Sequence, residues 1–319
     1  MTAQQAIKVG IIGTGAIGGF YGVMLAKAGY EVHYLLRSEY SAVKQNGLLI
    51  ESDVYGQVHQ AQVNAWHEAS QMPKCDWLLV GAKTTSNPSL VPLIEAAAAD
   101  NAKVVLMQNG FGVEDELRPL LSDKLHLLGG LCFICVHRGA PGVIYHQAYG
   151  GVNLGYHSGP ATAEQALAIT EEGASLLRDA GLDSKAMANI EQARWQKLVW
   201  NIPYNGLSVL LDATTGEMMS NPDARALIAD LMQETIDAAA ACGHQLPDNF
   251  VQTMLKATDK MPDYHPSMYH DFAHQRPLEL KGIYAAPLAA AKAAGGAMPK
   301  VEMLLQSLAF KVKQPIAEL

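Results

Sequence analysis

The chain is short of cysteine, of basic residues and of long apolar runs, and each shortage excludes a class of protein. Its 319 residues include 4 cysteines, without the spacing of a disulfide framework, which fits a reducing compartment. The 23 basic residues are outnumbered by 31 acidic ones, which argues against a nucleic-acid or membrane-surface footprint. No apolar run reaches the roughly 18 residues of a membrane span. We therefore expect a cytoplasmic globular protein.

Other patterns are also missing. The start of the chain has no apolar segment typical of a signal peptide. The 11 histidines form no H-E-x-x-H or comparable pattern, so we expect no metal site. Cys132 and Cys135 form a C-x-x-C pair inside a strand-like apolar run, where buried thiols are expected rather than a redox or metal pair.

A glycine-rich turn near the start of the chain organises the strands and helices around it. A β-branched run meets the sequence Gly13-Thr14-Gly15-Ala16-Ile17-Gly18, the G-x-G-x-x-G dinucleotide fingerprint. Gly13 allows the tight turn, Gly15 lets backbone approach a pyrophosphate, and Gly18 lets the helix pack on the strand. The helix predicted at Ala16–Ala28 would direct its free amide groups at that pyrophosphate. The alternative is a glycine-rich turn that packs closely and binds nothing.

The second predicted strand, Glu31–Leu36, indicates which dinucleotide is bound. NAD sites usually carry an acid at the end of this strand to hold the ribose 2′-hydroxyl, whereas here Arg37 and Ser38 follow. A guanidinium and a hydroxyl suit a 2′-phosphate, so the predicted cofactor is NADP(H). The alternative is an arginine that is simply solvated at a strand end.

Two further strands end in polar residues. Lys83 follows the strand predicted at Asp76–Gly81, and Asn109 follows the one at Ala102–Met107. Ligands of doubly wound sheets lie beyond the carboxyl ends of the strands. Lys83 is therefore placed for cofactor phosphate or ribose, and Asn109 for the nicotinamide or the substrate. A solvated lysine and a turn-forming asparagine are the alternatives.

The pattern of elements divides the chain in two. Strands alternate with helices in the first part, which is typical of an α/β Rossmann domain, and helical periodicity prevails from Asn189 onwards. We predict a Rossmann dinucleotide-binding domain at 1–185 and an all-helical domain at 186–319. The active site is expected in the cleft between them. The alanine-rich region Ala285–Ala297 could pack helices inside one chain or in a homodimer.

Lys197, Asn201 and Asn205 are the most informative polar residues of the helical part. Their i, i+4, i+8 spacing in the helix predicted at Glu191–Leu211 places them on one side. A lysine and two amides along a largely apolar helix are costly unless each has a partner, which makes them a site candidate. The alternative is a polar stripe at an interdomain interface. Pro203, between the two asparagines, should kink the helix.

Together these features resemble the ketopantoate reductase (2-dehydropantoate 2-reductase) family over nearly the whole chain. The matching residues are Gly13-x-Gly15-x-x-Gly18, Arg37, Lys83, Asn109-Gly110, Trp195-x-Lys197-Leu198, Asn201, Asn205, Ser267 and Glu279. The resemblance implies NADPH-dependent reduction of 2-dehydropantoate to (R)-pantoate in pantothenate and coenzyme A biosynthesis. It implies that Lys197 is the general acid and Glu279 a substrate-orienting carboxylate. It also implies that Asn109 and Ser267 lie near the substrate carboxylate, and Asn201 and Asn205 near its hydroxyl end.

Three positions depart from the pattern of this family. Thr215 stands where members often have asparagine, Lys281 where they tend to have an acid, and Tyr284 where an Asn-Gly pair tends to begin. One alternative is therefore a reductase of the same fold that acts on another 2-oxo or 3-hydroxy acid. The alternative from a different class is a non-catalytic NADP(H)-binding redox sensor, which would need neither Lys197 nor Glu279.

Overall fold

The computed structural model describes residues 7–319. The predicted lack of an apolar signal segment concerns residues 1–6 in part, and these lie outside the described residues. The chain divides into two compact units. One consists of the chain up to Gln108 together with Val113–Ile190, and the other of Asn109–Gly112 together with Glu191–Leu319. Along residues 7–319, no helix combines the length and the apolarity that crossing a membrane would require.

The N-terminal unit is built on one large sheet. Its strands are β1 Lys8–Ile12, β2 Glu31–Leu35, β3 Leu48–Ser52, β4 Gly56–Gln60, β5 Asn64–Trp66, β6 Cys75–Val80, β7 Ala98–Leu106, β8 His126–Arg138, β9 Val143–Ser158 and β10 Ala186–Met187. The order across the sheet is β4-β3-β9-β8-β7-β6-β1-β2-β5, and β10 pairs with β9. The strands from β8 to β5 run parallel, whereas β9 pairs antiparallel with β8. This confirms the predicted α/β Rossmann fold.

Five helices accompany this sheet: α1 Ala16–Lys27, α2 Tyr40–Asn46, α3 Asn87–Ala97, α4 Val113–Leu117 and α5 Ala163–Asp179. The centre of the sheet is apolar because β1 lies between β6 and β2. Val9, Ile11 and Ile12 of β1 are accordingly buried. Strands covered on both faces read as continuous apolar runs, which is why β1 was recognisable in the sequence.

Some of these elements differ in their bounds from the elements that the sequence predicts. The sequence of Asn87–Ala99, with Pro88 in its first turn, predicts one helix, but α3 ends at Ala97 and β7 begins at Ala98. The sequence also predicts two separate strands, Gly142–Tyr149 and Val152–Tyr156, but β9 is continuous. Its backbone departs from extended geometry at Tyr149 (φ 66°) and Gly150 (φ 126°), close to a register shift against β8. A bulge of this kind re-aims a strand without ending it. Two short helices, α2 and α4, were not predicted.

The second unit is helical, as expected. Its helices are α6 Ile190–Leu211, α7 Thr215–Ser220, α8 Pro222–Ala241, α9 Phe250–Thr258, α10 Ser267–Ala273, α11 Ala286–Ala293 and α12 Pro299–Val312, with a π-helical turn at Lys281–Ala285. Helix α6 continues through Pro203 and contributes much of the core, with Trp195, Ile202 and Tyr204 fully buried. The polar residues of α6 are therefore held on a rigid, deeply packed element.

The sequence predicts a single helix at Leu278–Lys292, and the π-helical turn replaces part of it. Pro287 lies two residues after this turn, in the first turn of α11. A proline cannot donate to the carbonyl four residues earlier, and its ring needs room at that carbonyl. The wider π turn provides this room, and such turns often occur at functional sites.

Candidate active site

The glycine-rich loop has the geometry that its sequence predicts. Gly13 has φ +86°, and a Cβ there would lie 2.6 Å from the backbone nitrogen of Ala82. A Cβ on Gly18 would lie 2.4 Å from the carbonyl oxygen of Gly13. Within the described residues, a Cβ on Gly15 would approach only Cδ of Arg138, at 4.0 Å. Gly13 and Gly18 thus permit close packing, and Gly15 leaves space above the start of α1 that fits a pyrophosphate.

The end of β2 lies next to this loop. The hydroxyl of Thr14 donates to the carbonyl oxygen of Leu35 at 3.0 Å, which ties the loop to the last residue of the strand. Arg37 and Ser38 follow and are both exposed. Their side chains are accessible at the edge where the ribose of a dinucleotide is held in Rossmann proteins.

Lys83 lies in the loop after β6, and a buried amide network holds this loop. Nε2 of Gln108 donates to the carbonyl oxygen of Ala82 at 3.0 Å and to Oδ1 of Asn87 at 2.7 Å. Gln108 and Asn87 are both buried, while Lys83 is half-buried. Reasoning from the sequence did not select Gln108 or Asn87. Its place as a polar residue just after the end of β7 is the signal that would have pointed to Gln108.

Asn109 begins the four-residue segment that belongs to the second unit. Gly110 has φ +109°, and a Cβ there would lie 2.8 Å from backbone atoms of Gly282. The amide of Phe111 donates to the carbonyl oxygen of Gly282 at 2.8 Å, and its ring lies 4.8 Å from that of Trp195. The structure therefore holds Asn109 between the π-helical turn and helix α6, within the unit that also carries Lys197.

Lys197, Asn201 and Asn205 all lie on α6. Lys197 is half-buried, whereas the asparagines are 5% and 2% exposed. Nδ2 of Asn201 is buried and finds no hydrogen-bond partner among residues 7–319. A buried donor left unpaired costs about 1–3 kcal/mol, and native structures rarely keep one without a reason. An oxygen atom of a bound ligand or of an ordered water can accept from it.

Asn205, unlike Asn201, has hydrogen-bond partners. Its Oδ1 accepts the amide of Met268 at 3.2 Å and the hydroxyl of Ser267 at 3.4 Å. Ser267 is the first residue of α10, and Pro266 occupies the N-cap. Asn205 thus accepts from one orphan amide, that of Met268, at the start of α10 from a neighbouring helix, and it fixes the position of Ser267 through the hydroxyl.

Glu279 lies close before the π-helical turn, and its side chain is only 4% exposed. Its carbonyl oxygen accepts the amide of Ile283 at 3.1 Å, so the residue is held at the beginning of this helical segment. The same segment contacts the backbone of Phe111 through Gly282. The second unit therefore contains every residue proposed for catalysis or substrate binding, and the N-terminal unit contains the glycine loop, Arg37 and Lys83.

The positions that depart from the family pattern have structural partners. The hydroxyl of Thr215 donates to the carbonyl oxygen of Tyr264 at 3.2 Å and lies 3.4 Å from Oδ1 of Asp263. Tyr284 is fully buried, and its hydroxyl donates to the carbonyl oxygen of Ile202 at 3.0 Å. Burial raises the pKa of Tyr284 well above its usual value, so the hydroxyl stays protonated. Lys281 is exposed.

The potential metal ligands and the C-x-x-C thiols also lie in the described chain. Across residues 7–319, no three His, Cys, Asp or Glu side chains come together in a way that could hold a metal ion. Cys132 and Cys135 are buried thiols, which confirms the state expected from their apolar run.

The fold and these residues define a class of protein. The N-terminal unit has a glycine loop that fits a dinucleotide pyrophosphate, and the helical unit carries lysine, amide and carboxylate groups. This combination is typical of a dinucleotide-dependent oxidoreductase. Residues 9–159 match the family model of ketopantoate reductase PanE/ApbA. Residues 189–312 match the model of its C-terminal part. The chain belongs to the ketopantoate reductase family.

Individual relatives agree with this assignment. The chain is 42% identical to a 2-dehydropantoate 2-reductase of Nostoc, over 95% of this chain and 94% of the relative. The crystal structure of a 2-dehydropantoate 2-reductase from Geobacter metallireducens has a TM-score of 0.88 and 36% identity, covering 95% and 99% of the two chains. A D-mandelate dehydrogenase solved with NADH and anilino(oxo)acetate shares the fold, with a TM-score of 0.84, 22% identity and coverage of 96% and 98%.

Proposed function

We propose that this protein reduces 2-dehydropantoate to (R)-pantoate with NADPH, in the cytoplasmic pathway to pantothenate and coenzyme A. Membership of the ketopantoate reductase family and the names of its relatives support this proposal. The observation that carries it is the buried Nδ2 of Asn201, which has no partner in the described part of the chain and lies one helical turn from Lys197 on α6. This amide group can donate a hydrogen bond to an oxygen atom of the substrate, close to Lys197, the candidate proton donor.

For the cofactor, we propose that residues 1–185 form the NADP-binding domain. Gly13, Gly15, Ala16, Ile17 and Gly18 would hold the pyrophosphate at the start of α1. Arg37 would pair with the 2′-phosphate, Lys83 would contact phosphate or ribose, and Asn109 would reach the nicotinamide side. When bound, NADPH supplies the hydride.

For the substrate, we propose that residues 186–319 form the catalytic domain. Reduction of a 2-oxo acid develops negative charge on the carbonyl oxygen. The ammonium of Lys197 would stabilise that charge and transfer a proton to the oxygen. Asn201 would donate to the substrate, and Asn109 and Ser267 would hold its carboxylate, with Ser267 positioned by Asn205. Glu279 would accept a hydrogen bond from the substrate 4-hydroxyl.

The test is NADPH oxidation followed at 340 nm with 2-dehydropantoate, and 2-oxoisovalerate and NADH serve as controls. We expect turnover with 2-dehydropantoate and NADPH and little with 2-oxoisovalerate. A site built around a hydroxyl rejects the analogue that lacks it, because its buried polar groups would be left unpaired. Clear NADPH binding without turnover of 2-dehydropantoate would refute the substrate assignment.

The second candidate is a reductase of the same fold for another 2-oxo or 3-hydroxy acid. The side chains of Thr215, Lys281 and Tyr284 favour it, because they replace residues that the family tends to have. A panel of 2-oxo acids in the same assay separates the two. A third candidate, a redox sensor that binds NADP(H) without catalysis, predicts binding of NADPH with turnover of none of these acids.

A further inference from the structure

We infer that Arg138 and Glu39 act as a pair that sets the preference for NADPH over NADH. This inference rests on the proposed function, because it concerns the same cofactor site. Neither residue belongs to the glycine fingerprint or to the residues selected from the sequence. They lie far apart in the chain and meet beside the dinucleotide loop.

Glu39 is held in place by two partners. Its Oε1 forms an ion pair with Nη2 of Arg138, and its Oε2 accepts the amide of Gly142 at 3.1 Å. The side chain of Glu39 is 13% exposed, and that of Arg138 is 46% exposed. Both carboxylate oxygens are thus engaged, and the guanidinium remains partly open to solvent.

The pair lies close to where the cofactor would be held. Glu39 follows Arg37 by two residues at the end of β2. Cδ of Arg138 lies 4.0 Å from the position of a Cβ on Gly15, in the loop that fits the pyrophosphate. The bond between Thr14 and the carbonyl oxygen of Leu35 keeps this loop next to the strand end.

A carboxylate near this strand end has a known chemical consequence. In NAD sites the acid stands at the position that Arg37 holds here, and it accepts hydrogen bonds from the ribose hydroxyls. A charged Glu39 two residues further on would repel a 2′-phosphate that Arg37 binds. Here Arg138 neutralises the charge of Glu39 and occupies one of its oxygens, so that Arg37 can act on the phosphate without a competing negative charge. Arg138 is therefore a positioning residue that acts through Glu39.

The test is a titration of the apo protein with NADPH and with NADH, followed by nucleotide fluorescence, which does not depend on turnover. The variants are Arg138→Gln, Glu39→Gln and the double variant. We expect Arg138→Gln to weaken NADPH about five- to tenfold, because it leaves Glu39 charged beside the phosphate. NADH should bind unchanged or more tightly. Glu39→Gln should bind NADPH at least as well as the unaltered protein.

The double variant decides the mechanism. If Arg138 acts by neutralising Glu39, removing the carboxylate in the Arg138→Gln background restores NADPH affinity to within about twofold. Equal weakening of NADPH and NADH by Arg138→Gln, or no restoration in the double variant, would overturn the inference. Either result would instead indicate direct contact of Arg138 with the pyrophosphate or a purely structural role.

Two controls keep this outcome separate from failure of the proposed function. If the unaltered protein binds NADH as tightly as NADPH, the cofactor assignment itself fails. Arg225→Gln breaks the Arg225–Asp259 ion pair of the second unit, and it should leave the ratio of the two affinities unchanged. Thermal unfolding of each variant identifies any that fail to fold.

Discussion

At the residue scale, Asn201 and Asn205 carry the same side chain one helical turn apart on α6, in opposite hydrogen-bonding states. Nδ2 of Asn201 is buried and lacks a partner in the described chain, whereas Oδ1 of Asn205 accepts two hydrogen bonds from the start of α10. An unpaired buried donor destabilises the folded protein, and a paired acceptor stabilises it. The two residues should therefore respond differently to the same substitution.

Asn201→Leu should lower kcat/KM at least tenfold without lowering the free energy of unfolding. The variant removes a donor that has no partner among residues 7–319, and the apolar side chain that replaces it has a similar volume. Asn205→Leu is the matched control and should cost about 1–3 kcal/mol, because the amide of Met268 loses its acceptor. Urea unfolding and steady-state kinetics of both variants provide the measurement. Equal destabilisation by the two substitutions would show that Asn201 is a structural residue.

Lys197→Ala should reduce kcat by about 10²–10⁴, the range typical of a lost general acid. Binding of NADPH should be unchanged, since the residues proposed for the cofactor are almost all in the N-terminal unit. Turnover at 340 nm and nucleotide fluorescence measure the two effects separately. Lys256→Ala, on the exposed surface of α9, is the control. Normal turnover by Lys197→Ala would show that Lys197 is not the proton donor.

At the residue scale, the sequence could predict the alignments that follow from local spacing. Lys197, Asn201 and Asn205 share a side of one helix, so their alignment was readable from i, i+4, i+8 positions. The contact of Asn205 with Met268 and the pair formed by Glu39 and Arg138 join distant parts of the chain. No periodicity encodes such contacts, and only the folded chain reveals them.

At the scale of elements, the buried hydroxyl of Tyr284 links the π-helical turn to α6. It donates to the carbonyl oxygen of Ile202, and a Cβ on Gly206 would lie 2.6 Å from it. The glycine thus makes room for the tyrosine. Because Ile202 follows Asn201 directly, this contact also fixes the helix at the candidate substrate donor.

Tyr284→Phe should lower the free energy of unfolding by about 1 kcal/mol, the usual net value of one hydrogen bond. It should also raise KM for the substrate more than it lowers kcat, because it loosens a positioning contact rather than removing a reacting group. Tyr30→Phe loses an exposed hydroxyl bond to Asp179 and should change neither KM nor kcat. A Tyr284→Phe variant with unchanged stability and KM would contradict this account.

The loop before α10 should make stability depend on acidic pH. Burial alone would raise the pKa of Asp263, but hydrogen bonds from the amide of Gly216 and the hydroxyls of Thr214 and Thr215, with His265 nearby, hold it below its usual value. A carboxyl whose pKa is lower in the folded state stabilises the protein at neutral pH. This stabilisation is lost as pH falls through the acidic range.

Asp263→Asn should therefore flatten part of the acidic decline in the free energy of unfolding, measured with urea at a series of pH values. The group is largely exposed, so solvent screening limits the difference to less than about 1 kcal/mol. Asp259→Asn, which releases Arg225 from a second carboxyl with a lowered pKa, is the comparison. An unchanged acidic decline in Asp263→Asn would show that this carboxyl does not anchor the loop.

Elements with strong periodicity and clear ends were the predictable ones. The sequence predicts helices at Pro222–Ala241 and Pro299–Val312, because a proline marks each first turn, and α8 and α12 have these bounds. The helix predicted across Leu278–Lys292 failed at its start, where the π-helical turn depends on packing against Phe111 and α6. Short elements such as α2 bury a single residue, Val43, and leave little periodic signal.

At the scale of the whole molecule, the two units have separate cores and separate proposed ligands. NADPH should therefore slow amide hydrogen exchange at Gly13–Gly18 in the N-terminal unit. Added pantoate should then slow it around Asn201 and at the start of α10. Ligand binding stabilises the state that binds by RT ln(1 + [L]/Kd), about 2.7 kcal/mol at a hundredfold excess over Kd. Protection by NADPH only in the second unit would contradict the division of roles.

The alanine-rich region bears on the oligomeric state of the molecule. Within the alanine-rich region Ala285–Ala297, Ala291 is buried inside its own unit, and α11 contacts α8. The region thus packs at least partly within one chain, and a homodimer stays a prediction that light scattering can test.

The four residues Asn109–Gly112 also affect how the chain is made. This segment leaves the sheet after β7, packs against Gly282 and α6, and returns to the first unit at Val113. On the ribosome, Gly282 is synthesised roughly 170 residues after Gly110, which at 5–20 residues per second takes about 10–30 s. During that interval the segment after β7 lacks its packing partner Gly282. The rate of translation therefore limits how soon this connection of the sheet can reach its final position.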